Sequence, residues 1–146
     1  MAARTADATE LRIPADPQYI VVAKRAAAGM ASVAGLGLEA LDELNIAIAE
    51  ACEHTIRGAA AAGMTDAKVR INFLVQEDAL RVEVRLVGTR PQPRVDAGPS
   101  LPAAASAAAE ALDLAVSMLS CFADDVDFQA AGDGLVRVRL AKYRLR

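Results

Sequence analysis

The segment VRINFLVQEDALRVEVRL, Val69 to Leu86, restricts the fold more than any other part of the chain. Val69, Ile71, Phe73 and Val75 recur with period two, and so do Leu80, Val82, Val84 and Leu86. That period puts every apolar side chain of a strand on one face, whereas a helix would scatter them around its circumference. The polar link Gln76 to Asp78 is short enough for a tight turn. An antiparallel hairpin with one buried face is therefore expected.

The cover for that face comes from helical stripes. Ile20, Ala23, Ala27, Met30 and Val33 or Ala34 fall on one side of a helix beginning near Asp16 or Pro17 and ending at Gly35 or Gly37. A second helix is expected from about Leu38 to Ala62, with Leu41, Leu44, Ile48, Cys52 and Thr55 on its stripe and Gly63 closing it. A third runs from Ala103 to Phe122, carrying Leu112, Val116, Leu119 and Phe122. Leu11 and Ile13 suggest a short strand before Pro14. Val126 and Phe128, a turn at Asp133 and Gly134, and then Val136, Val138 and Leu140 suggest a second hairpin.

Between the hairpin and the third helix lies TRPQPRVDAGPSLP, Thr89 to Pro102, holding four of the six prolines. It can neither extend a sheet nor form a helix interior, and loops of this length inside a domain are more often functional than idle. The order gives one α+β two-layer sandwich, with a mixed, mostly antiparallel sheet and helices on one face. Residues 1–10 read as a flexible N-terminal segment and 11–146 as a single domain, a size sufficient for a core without staples.

Apolar residues make up 54% of the chain but aromatics only 3%, so the core is aliphatic. Sixteen Lys and Arg against nineteen Asp and Glu give a net charge of -3, which argues against direct nucleic-acid binding by bulk electrostatics. No apolar run has the length of a membrane span and the first residues lack a secretory h-region, so no membrane role and a cytoplasmic location are expected. Cys52 and Cys121 fall in predicted helices without a metal-binding spacing and read as reduced core thiols.

The second helix concentrates ionisable groups in IAEACEHTIRGAA, Ile48 to Ala60. Glu53 and Arg57 have the spacing of an exposed ion pair. Glu50 and His54 are also four apart, so they can converge on a ligand, yet a metal needs further donors and no other histidine exists. No metal site is assigned. The C-terminal run RVRLAKYRLR, with Arg137, Arg139, Lys142, Arg144 and Arg146, reads as a solvated sheet face more readily than as a patch for an acidic partner. Asp124 and Asp125 read as turn and boundary residues. GxxxxGK, GxSxG and GxGxxG signatures are absent.

Taken together, LRIPADPQYIVVAKRAAAGMASVAGLGLEALDELNIAIAEACEHTIRGAA, the hairpin, the proline-rich loop in place of an ATP lid, and the helix ending SCFADDVDF resemble the anti-sigma-factor serine kinases. These belong to the GHKL, or histidine-kinase-like, ATPase superfamily, and the resemblance covers about Leu11 to Tyr143. It implies a Bergerat-type fold with ATP between helices and sheet. It also implies a protein that holds a sigma factor and phosphorylates a serine on an anti-anti-sigma antagonist, often as a homodimer.

The resemblance can be followed residue by residue. Glu50 stands at the catalytic glutamate, but the magnesium-binding asparagine is His54 and the following histidine position is Gly58. Imidazole suits magnesium poorly compared with an amide oxygen. In VEVRLVGTR, Leu86 takes the place of the adenine-binding aspartate, Gly88 is kept, and Arg90 replaces the second glycine. Asp113 and Ala115 occupy the phosphate-facing glycine positions, and Leu135 the threonine of the last hairpin. The nucleotide pocket implied by resemblance is thus Glu50, His54, Leu86, Gly88 and Asp113 in altered form. The expectation is an anti-sigma-like regulator with impaired or lost ATP binding, leaning away from catalysis, without cofactor. Its partners are a sigma factor or an anti-anti-sigma protein. The alternative is an active serine kinase using ATP and magnesium, with Glu50 as base. A third possibility is that the altered pocket accepts another small molecule.

Overall fold

The computed structural model describes residues 7–89, 102–131 and 134–144. Strand β1 spans Ala8–Pro14, followed by a 3-10 turn at Pro17–Tyr19, α1 at Ile20–Val33 and α2 at Leu38–Ala61. Strands β2 (Lys68–Val75) and β3 (Ala79–Val87) form the expected hairpin, closed by Gln76 N donating to Ala79 O at 2.9 Å. Helix α3 covers Pro102–Phe122, and β4 (Asp125–Ala131) and β5 (Gly134–Tyr143) complete the chain.

The strand order is β1-β2-β3-β5-β4. Every pairing among the described residues is antiparallel, so the parallel component that a mixed sheet would contain is not found there. Strand β1 starts earlier than expected. Ala8 already pairs with Leu74, which takes residues 8–10 out of the segment read as flexible. At the other margin, β4 is bulged between Gln129 and Ala130.

Alternation in the strands decides which face meets the helices. Ile71, Phe73, Val82, Val84, Val138 and Leu140 are buried, while their sequence neighbours point to the other side. Against this layer lie Leu44, Ile48 and Cys52 of α2 and the alanine stripe Ala23, Ala27 and Ala31 of α1. Fully burying a side chain such as Phe73 or Leu44 contributes about 1.5–3 kcal/mol each. The α1 stripe passes through Ala34 rather than Val33, which is 71% exposed.

Glycines end both helices. Gly35 and Gly63 have φ of 73° and 70°, the left-handed region that side chains avoid. Leu36 N then reaches Ala31 O at 2.9 Å, and Met64 N reaches Ala59 O at 3.0 Å, satisfying carbonyls that the helices leave unpaired. Asp16 caps the entry by accepting from Gln18 N at 3.1 Å.

Candidate functional site

Helix α2 crosses the middle of the sheet, against β5 and β3. Its buried stripe is continued by Thr55, whose hydroxyl donates to Ala51 O at 2.7 Å and so needs no outside partner. One step around the helix, Glu50 and His54 are mostly shielded, with side chains 16% and 14% exposed. His54 Nε2 stands 3.9 Å from Glu50 Oε2, a neighbouring charge rather than a hydrogen bond. Glu53 and Arg57 make the exposed pair their spacing suggests, at 2.6 Å.

Leu86 is half-buried near the end of β3, opposite the buried Val69 and on the same side of the sheet as Val84. An apolar side chain there packs with the core-side residues and offers no hydrogen-bond acceptor. Gly88 follows with φ of 149°. A Cβ at that position would lie 2.9 Å from Met64 Cε and 3.2 Å from Asp66 Oδ1. Asp66 also accepts from Thr89 N at 3.2 Å, so the glycine lets the end of β3 close onto the loop before β2.

Asp113 is exposed on α3, where it joins no hydrogen bond or ion pair among the described residues, while Ala115, on the other side of the helix, is buried. Leu135 is fully buried. Gly58 lies directly against Gly134 at the start of β5. Arg90 and the loop 90–101 lie outside the described residues, as does Asp133.

For a magnesium nucleotide, the donor set at Glu50 and His54 is one carboxylate and one imidazole. No group of three or more metal-ligating His, Cys, Asp or Glu occurs among the described residues. A hard cation that prefers six oxygen ligands meets only part of its needs from this pair. An adenine seated at that end of β3 would find no side-chain acceptor at Leu86 for its exocyclic amine. The residues present fit the group poorly.

Two readings of the sequence are corrected here. Cys52 is a core thiol, and burial raises its pKa from 9.0 to about 12. Cys121 is exposed on α3. Lys142 is no part of a solvated face: its side chain is only 6% exposed, bonded to Glu43 of α2 and 3.6 Å from Asp124. The signal was present in the alternation, because Val138, Leu140 and Lys142 share the core side whereas Arg137 and Arg139 take the other. Asp124 and Asp125 do serve the boundary. Asp124 accepts from Tyr143 N at 2.6 Å, and Asp125 accepts from the Tyr143 hydroxyl and thereby raises its pKa.

The five-stranded antiparallel sheet with α2 laid across one face is the frame that carries Glu50 and His54. Residues 13–142 match the family model described as histidine kinase-like ATPase domain, and the chain belongs to that family. Among its relatives are proteins named serine-protein kinase RsbW. The protein of that name from Bacillus pumilus is 31% identical over 143 residues, covering 95% of this chain and 87% of its own length. The one from Listeria monocytogenes is 35% identical over 83 residues, 57% of this chain. One from Bacillus licheniformis is 33% identical over 81 residues. The match to the Listeria protein spans about half of that protein's length, 52%. No described helix is long and apolar enough to cross a membrane.

Proposed function

We propose that this protein is an anti-sigma-type regulator that acts by stoichiometric association with a sigma factor or its antagonist, with adenine nucleotide held weakly or not at all. The observation carrying this reading is the replacement of an acceptor by Leu86, which is packed toward the helix layer. His54 at the cation position and the exposed Asp113 on α3 support it, since a carboxylate near a triphosphate adds like-charge repulsion. One domain spanning 11–146, without metal, would then serve as a binding scaffold.

Kinship with proteins named serine-protein kinase speaks more directly for a second reading, an active kinase. Glu50 is the observation that favours it within this chain. A largely shielded carboxylate beside His54 is suited to accept the proton of a partner's serine hydroxyl.

A thermal-shift titration with Mg-ADP separates the two. An unchanged melting point supports the regulator, whereas a saturable rise, together with phosphorylation of a partner serine that Glu50→Ala abolishes, establishes the kinase.

A further inference from the structure

The pairing register places four arginines in one line across the sheet. Arg12 stands opposite Arg70, Arg70 opposite Arg85, and Arg85 opposite Arg137. Directly opposed residues share a face, and neighbouring strands lie about 4.8 Å apart, so the line crosses four strands over roughly 14 Å. The adjacent Ile13, Ile71, Val84 and Val138 are buried against the helices, which puts the arginines on the side away from them.

Like charges set directly opposite one another disfavour a sheet, and arginines on a solvated face commonly offset this with local carboxylates. The neighbouring line does contain acids, Glu10, Glu83 and Asp127. None of them pairs closely with the line: Glu83 accepts from Arg139 at 2.8 Å, Glu10 meets Arg12 only at 3.5 Å, and Asp127 makes no ion pair among the described residues. Among the described residues, no ion pair includes Arg70, Arg85 or Arg137. Arg70 Nε is shut off from water with no acceptor. Arg85 is exposed, so its guanidinium donors remain open to an acceptor from outside.

We infer that this line docks an acidic segment of a partner protein, whose carboxylates lie across the strands and are held by the guanidinium forks. Arginine matches carboxylates in paired, planar geometry. The acids alongside confine the occupant to a single narrow line and repel a broad polyanion such as a nucleic-acid duplex. No aromatic side chain stands in the line to stack bases, which disfavours single-stranded nucleic acid. The inference is independent of nucleotide binding and of any partner met near Glu50 and His54.

Anisotropy of a labelled octaglutamate peptide with the full chain at low salt tests it, with single-stranded octathymidylate as a second arm. The peptide should bind, added salt should weaken it, and Arg85→Gln or Arg137→Gln should each weaken it about tenfold. Arg81→Gln, on the same face but outside the line, should leave binding unchanged. Melting points of the two line variants should be equal to or above that of the parent, as like-charge contact is relieved. The inference is overturned if the peptide does not bind, if octathymidylate binds as tightly, or if all three variants weaken binding alike. It is equally overturned if Arg85→Gln halves the mass in light scattering, since a second copy would then be the occupant.

Discussion

Gly58 of α2 and Gly134 of β5 meet backbone to backbone: a Cβ on Gly58 would stand 2.9 Å from Gly134 Cα, and one on Gly134 would be closer still to Gly58. At this contact the central helix and the sheet meet with no side chain between them. Helix propensity alone would make Gly58→Ala stabilising by about 1 kcal/mol. Backbone cannot move aside as a flexible side chain can, so overlap should win and the variant should lose about 1–3 kcal/mol. In a thermal melt this is a drop of several degrees. Gly29→Ala in α1, where a Cβ meets nothing within 4 Å, should raise the melting point, and a rise in both variants would refute the close contact.

Lys142 ties α2 to the junction before β4 through Glu43 and Asp124. Lys142→Ala removes the cation and leaves a cavity, with an expected loss of about 2–4 kcal/mol in urea unfolding, at the lower end because Glu43 retains 32% exposure. Lys142→Met keeps the volume and should cost less than half as much. Equal losses in the two variants would show that the ion pairs, not the packing, dominate.

The two thiols should behave differently. One equivalent of an aromatic disulfide reagent should react in the native protein, at Cys121, and a second only after unfolding. Burial raises the Cys52 pKa to about 12 in the folded state, above the ordinary 9.0 of an exposed thiol. The unfolded chain therefore releases this proton first, so the contribution to stability is intact below pH 9.0 and declines as pH rises from there toward 12. Cys52→Ala should flatten that alkaline decline. Fast reaction of both thiols at neutral pH would contradict the buried placement.

Leu86 faces the core side and is half-buried, so Leu86→Asp should cost about 1–3 kcal/mol in denaturant unfolding. Combined with His54→Asn, it supplies a carboxylate acceptor and an amide oxygen. If those two positions limit nucleotide binding, the double variant should gain an Mg-ADP-dependent rise in melting point that exceeds the parent's. No gain would place the limit elsewhere in the pocket.

Much of the fold was legible because period reports directly on burial. The β2–β3 hairpin and α2 emerge from alternation and stripe with boundaries within a residue or two. Phe128 shows the limit, since its alternation implies a covered strand but β4 is outermost and leaves it 42% exposed. Charge alone groups Lys142 with its exposed neighbours, whereas its parity in the strand places it inside. The arginine line could not be read at all from one sequence. Arg12, Arg70, Arg85 and Arg137 are distant in the chain, and only the register brings them together. At the candidate site, helical spacing makes Glu50 and His54 neighbours, but the part of Gly88 in closing the loop over Met64 and Asp66 depends on tertiary packing.

The outer strand β4 pairs through a ladder interrupted between Gln129 and Ala130, with Asp125 and Asp127 along its length. An incoming chain that tried to continue the hydrogen bonding there would lose step at the irregularity and meet negative charge on approach. That rim is thereby closed to templated growth. In a crowded solution this margin resists fibrous stacking without a capping subunit to cover it.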